Sequence, residues 1–295
     1  MKESRLAIAP DGASIAYRSY GQGSPAILLS NGIGCNQAYV DHAIRAMAQK
    51  HQVVIWDYRG HVDSPAPADT EDLSIDLCMQ DMRAVAQAAG LVDQDLILAG
   101  FSMGVQISLE YLRRWPEQVR GLVFLLGTHE YPLRSFFHMG RMGEILVPGM
   151  LATVRRLGFL KKVWTQALAG PWVFPAGKLF VLNAKAARKE DFESWRAHLK
   201  HMDPEVFFAW GQVLADHSTA SVLPGIHIPC LVVAGDKDNF TPIRVVRNMA
   251  AQIPTAEWFE VQGGSHGGLF EFPELINAKV MRFLAEHFSG RIGTE

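Results

Sequence analysis

The run Leu96-Ile97-Leu98-Ala99-Gly100-Phe101-Ser102-Met103-Gly104-Val105 decides how this chain is read. Four apolar residues end at a glycine, a serine follows between two glycines, and an amphipathic stretch continues to Arg114. This pattern predicts a buried strand, a very tight turn with Ser102 at its tip, and a helix. Gly100 and Gly104 flank the serine because side chains there would collide where strand and helix close on each other. A serine so placed sits in strained backbone, with its hydroxyl projecting at the carboxyl end of the strand.

Outward from this turn, apolar runs alternate with helical patterns. Arg5 to Ala9 and Ser14 to Ser19 read as a hairpin around Pro10-Asp11-Gly12. Ala26 to Ser30, Gln52 to Trp56, Gly121 to Leu126, Ile228 to Gly235 and Ala256 to Val261 read as strands. Tyr39 to Lys50, Ser74 to Gly90, Val245 to Gln252 and Pro273 to Phe288 have helical periodicity. Apolar runs that do not alternate, separated by helices, indicate a mostly parallel sheet covered on both faces. The alternation lapses after Thr128, and residues 131–223 read as helical and rich in aromatics. The expected organisation is one core domain, 1–130 with 224–295, interrupted by a helical cap at 131–223.

With 295 residues, 48% hydrophobic and 20% charged, the chain has material for one large core. A formal net charge of −2 gives no reason to expect nucleic acid as a partner. Three widely spaced cysteines, Cys35, Cys78 and Cys230, are not a disulfide framework. Without a signal-like apolar segment or a run of membrane-spanning length, the reading is of a cytoplasmic protein with no membrane insertion.

A serine hydroxyl is a weak nucleophile until a base takes its proton. His266, in Gly263-Gly264-Ser265-His266-Gly267-Gly268 after the last strand, is placed at the same sheet edge as Ser102. Gly235-Asp236-Lys237-Asp238-Asn239 follows the penultimate strand, and Asp238 is the acid expected to orient that imidazole. Asp236 reads as capping its turn, and Glu130 is a weaker alternative acid. The expected oxyanion donors are the backbone N–H groups of Met103 and of Ile33, in Asn31-Gly32-Ile33-Gly34. His198 and His201 share a helical face, yet two histidines without a third ligand do not make a metal site, so no metal or cofactor is expected.

These motifs together resemble the α/β-hydrolase superfamily, in particular its cap-bearing esterase-like branch. The resemblance is carried by Asn31-Gly32-Ile33-Gly34, Asp57-Tyr58-Arg59-Gly60-His61-Val62-Asp63-Ser64, Gly100-Phe101-Ser102-Met103-Gly104, Gly235-Asp236-Lys237-Asp238 with Thr241-Pro242, and Gly264-Ser265-His266 with Glu271 and Pro273. It implies an α/β-hydrolase fold, a Ser102–Asp238–His266 triad and oxyanion donors at Ile33 and Met103. Two departures stand out: Asn31 replaces the family's usual histidine, and Asp63 is read as replacing a glycine of the Asp57–Ser64 turn. A serine nucleophile argues against epoxide hydrolase or dehalogenase chemistry, which uses aspartate at that place. The expected activity is hydrolysis of a carboxylic ester, or related acyl bond, of a small, largely apolar molecule through an acyl-enzyme. A lactonase, an acyltransferase and a slowly hydrolysing ligand receptor are the alternatives. Trp164, Trp172, Phe174 and Trp210 of the insertion are the aromatics expected to line the acyl pocket.

Overall fold

The computed structural model describes residues 3–129, 189–215 and 217–288, with isolated positions 149, 163, 166, 167, 170, 173, 183 and 186. Eight strands form one sheet: β1 (Arg5–Ile8), β2 (Ser14–Tyr20), β3 (Ala26–Ser30), β4 (Val53–Trp56), β5 (Leu96–Phe101), β6 (Val119–Leu125), β7 (Cys230–Gly235) and β8 (Ala256–Val261). Their order is β1-β2-β4-β3-β5-β6-β7-β8. The β1–β2 and β2–β4 pairs are antiparallel, and every pair from β4 to β8 is parallel.

The helices are α1 (Asp41–Met47), α2 (Ile75–Ala88), α3 (Met103–Arg114), α4 (Lys189–His201), α5 (Pro204–Ala215), α6 (Ile243–Ala251), α7 (Gly268–Glu271) and α8 (Pro273–Phe288). Side chains alternate across each strand, so Leu28, Leu98, Phe124 and Val232 pack on the face covered by α2, α3 and α6. Ile27, Ile97, Val123 and Leu231 pack on the other face, under α1 and α8. Both faces are covered, which is why β3, β4, β5 and β7 are buried along their whole length rather than alternating.

Helix starts follow their caps. Ser74 accepts the Leu77 N–H at the start of α2, and Gly90, with φ +71°, ends that segment. The stretch read as one helix from Tyr39 is a 3₁₀ turn (Gln37–Val40) leading into the shorter α1.

One reading of the sequence is corrected here. The left-handed residue of the Asp57–Ser64 turn is Val62, with φ +46°, so the place that suits glycine is one residue before Asp63. Asp63 itself pairs with Arg18, which also bonds Asp57 at 3.0 Å. The three cysteines are free and buried. Among the described residues no helix is long and apolar enough to cross a membrane.

Between β6 and β7 the described chain contains α4, α5 and a 3₁₀ turn (Ala220–Gly225). These two helices lie on the loops that follow β3 and β4. A Cβ on Gly34 would stand 2.7 Å from the Phe207 ring, and one on Gly60 would stand 2.5 Å from Val206.

Candidate active site

Ser102 joins β5 to α3 with φ 54° and ψ −116°, a conformation that a side-chain-bearing residue adopts at a cost. The reason lies in its neighbours. A Cβ on Gly100 would meet the Gly104 carbonyl oxygen at 2.3 Å, and one on Gly104 would meet the Ser30 oxygen at 2.0 Å. The helix therefore starts closer to the sheet than any other residue type would allow, and its first N–H groups face the loop after β3. The N-terminal end of a twelve-residue helix also carries the positive end of its dipole to this spot.

His266 follows β8 and reaches back across the sheet edge. Its Nε2 lies 3.0 Å from Ser102 Oγ, and its Nδ1 lies 2.8 Å from Asp238 Oδ2. Asp238 is almost fully buried. Its Oδ1 accepts the N–H groups of Phe240 at 2.8 Å and Thr241 at 2.9 Å, and its Oδ2 accepts the Thr241 hydroxyl at 2.8 Å. Four donors, counting the imidazole, fix this carboxylate and aim it at Nδ1. The His266 ring is held from both sides by Phe240, stacked at 5.0 Å, and Phe101, at 5.3 Å. Its backbone carbonyl accepts the Tyr39 hydroxyl at 3.0 Å.

Asp236 does not cap its own turn. It accepts the Gly263 N–H at 2.5 Å, tying the loop after β7 to the loop that carries His266. Glu271, buried on α7, secures the same loop by accepting the Ser265 N–H at 3.0 Å and the Ser265 hydroxyl at 2.5 Å. Glu130 lies outside the described residues.

The loop after β3 comes up against the serine: a Cβ on Gly32 would stand 3.2 Å from Ser102 Cβ. Gly32 donates its N–H to Asn31 Oδ1 at 2.9 Å, and Asn31 Nδ2 donates to the Asn36 carbonyl at 2.9 Å. Asn31 therefore fixes the loop that its side chain begins. The N–H groups of Ile33 and Met103 have no acceptor among the described residues.

Trp210 stands on α5. It is fully buried in the core beneath α5, packs against Tyr58 at 5.7 Å, and donates Nε1–H to the Arg59 carbonyl at 3.1 Å. Trp164, Trp172 and Phe174 lie outside the described residues. His198 and His201 gather no third ligand, and among the described residues no group of three or more metal-ligating side chains occurs.

Sequence reasoning missed two contributors. Trp195, on α4, donates Nε1–H to the Gly34 carbonyl at 3.1 Å. His61 accepts the Gly34 N–H at 2.9 Å. Neither carries a signal in the sequence beyond the family-like turn in which His61 stands.

Fold and site together define a class. The chain belongs to the alpha/beta hydrolase fold family, whose model matches residues 25–273. Among curated proteins it is 29% identical over 278 residues to a candidate carbamate hydrolase, RutD, of Azorhizobium caulinodans, covering 93% of this chain and 96% of that one. It is 22% identical to the pimeloyl-[acyl-carrier protein] methyl ester esterase of Vibrio campbellii, covering 92% and 99%. Among solved structures, the enol-lactonase of Burkholderia xenovorans LB400 superposes with a TM-score of 0.77 at 21% identity, covering 95% of this chain and 100% of that one.

Proposed function

We propose that the chain is a serine hydrolase that cleaves the carboxylic ester, or a related acyl bond, of a small and largely apolar molecule through an acyl-enzyme. The observation that carries this reading is the continuous line from Ser102 Oγ to His266 Nε2, 3.0 Å, and from His266 Nδ1 to Asp238 Oδ2, 2.8 Å. In the first step His266 Nε2 takes the Ser102 proton while Oγ bonds to the substrate carbonyl carbon. The carbonyl oxygen becomes an oxyanion and accepts from the Ile33 and Met103 N–H groups, where fixed donors stabilise charge as it develops. Collapse breaks the bond to the leaving alkoxide, which takes the proton from Nε2. Water then gives its proton to Nε2 and attacks the acyl carbon, and the second collapse releases the acid and returns the proton to Oγ. Asp238 holds the proton-bearing Nδ1 throughout and stabilises the imidazolium that each attack creates.

The described helices between β6 and β7, α4 and α5, pack on the loops that follow β3 and β4, a place from which they can select the acyl group. Phe240, half-buried and stacked on His266, suits an apolar substrate. A carbamate is the second reading, favoured by the 29% identical relative. Purified Ser102→Ala is expected to lose p-nitrophenyl ester hydrolysis by about 10³-fold or more while unfolding at the wild-type temperature. Retained activity sinks the proposal. A panel of esters, lactones and carbamates ranked by kcat/KM separates the two substrate readings.

A further inference from the structure

Three successive amides in the loop after β3 behave differently. Gly32 gives its N–H to Asn31 Oδ1, and Gly34 gives its N–H to His61 Nε2, both at 2.9 Å. The Ile33 N–H between them is unused among the described residues. With the peptides on either side held by side-chain acceptors, Ile33 has little freedom left, and its N–H is the one that remains for a substrate. The Asp57–Ser64 turn grips the loop at both ends, because the Tyr58 hydroxyl donates to the Asn31 carbonyl at 2.8 Å while His61 takes Gly34.

We infer that His61 is a positioning residue for the reaction: as a neutral hydrogen-bond acceptor it fixes the Gly34 peptide and so aims the Ile33 N–H at the oxyanion. An N–H facing Nε2 requires the tautomer with its proton on Nδ1. That nitrogen faces the Arg59 carbonyl at 3.3 Å, the same oxygen to which Trp210 donates. Tyr58 packs edge-on against the imidazole at 5.5 Å. Complete burial drives the His61 pKa down to about 3, so the ring stays a neutral acceptor at neutral pH. A protonated ring would turn Nε2 into a second donor facing Gly34 N–H and break the grip.

The inference rests on the serine-hydrolase reading, and the test separates the two. His61→Leu keeps the bulk and removes the acceptor; His61→Gln places an oxygen near the position of Nε2. Each is assayed with p-nitrophenyl butyrate beside Ser102→Ala, together with the inhibition constant of an aryl trifluoromethyl ketone, which forms the tetrahedral oxyanion. We expect His61→Leu to lower kcat by about 10- to 100-fold with KM within about twofold, and to weaken the ketone by a similar factor. His61→Gln is expected to recover most of both. If His61→Leu does not fold, His61→Met makes the same comparison. Full kcat in the apolar variant, a loss confined to KM, or a loss that His61→Gln does not recover would overturn the role of His61 while leaving the triad intact. An active Ser102→Ala overturns the underlying reading, and this inference with it.

Discussion

Val62 is the residue at which local backbone and side chain conflict most plainly. A β-branched residue with φ +46° pays the steric cost of the left-handed region, roughly 1–2 kcal/mol, without glycine's freedom. Glycine there removes that strain but loses more entropy on folding, roughly 0.5–1 kcal/mol. Val62→Gly is therefore expected to raise the unfolding temperature by about 1–3 °C in a thermal melt, and a lower temperature contradicts the strain. Asp63→Gly, by contrast, removes the ion pair with buried Arg18 and is expected to lower it. Among the described residues, Ser102 and Leu126 are the other non-glycine residues with positive φ, at 54° and 49°. The Leu126 carbonyl, an alternative acceptor for the proton that bonds Asp238, lies 3.1 Å from the Thr241 hydroxyl, and the Thr241 N–H holds Asp238 Oδ1 at 2.9 Å. Backbone strain thus gathers where β5, β6 and the Asp57 turn meet the site.

The central element is the β5 strand, the turn and α3. Its glycines could be read from the sequence because steric exclusion leaves a side-chain signature. Gly104→Ala tests that exclusion. Its Cβ would stand 2.0 Å from Ser30 O and 2.7 Å from Ser30 C, both backbone atoms that cannot swing aside. A loss of about 3 kcal/mol or more is expected, seen as a melting temperature lower by roughly 6 °C or more. An unchanged melt would mean that strand and helix are not so tightly closed. Ser102, His266 and Asp238 were legible because each follows an apolar strand and so falls at one sheet edge. The grip of His61 on Gly34 was not, since it joins residues 27 positions apart through a backbone group that no side chain announces. The surroundings of Trp210 were not legible for a related reason. Periodicity places an aromatic on a helix, but only packing decides whether it meets a cavity or, as here, the Arg59 carbonyl and Tyr58. The glycine place at Val62 depended on a backbone angle, which no side chain announces.

Across the whole molecule, buried histidines link folding to pH. The unfolded chain protonates His61 below its ordinary 6.5, whereas the folded chain keeps it neutral down to about 3. Below pH 6.5 the unfolded state therefore binds more protons, and the stability that His61 contributes above 6.5 is lost as the pH falls toward 3. The loss amounts to about 1.4 kcal/mol for each pH unit of that window. His198, held down to about 4 by burial and by His201, acts in the same direction. Asp57, raised to about 6 by burial against the pull of Arg18, opposes them as the pH falls from there toward 3.8. Both groups are common to wild type and His61→Gln, so the difference between the two proteins isolates His61. Between pH 7 and pH 4.5 the wild-type melting temperature is expected to fall by roughly 5 °C more than that of His61→Gln. Parallel curves would mean that His61 is not held neutral in the folded state.

All of these features converge on one serine, and the most direct test is to ask which residue a phosphonylating agent modifies. After reaction with an aryl fluorophosphonate, peptide mass spectrometry should find a single adduct, on Ser102, formed by the wild type and absent from His266→Ala. An adduct on another residue, or ester hydrolysis that persists with Ser102 unmodified, would contradict the account.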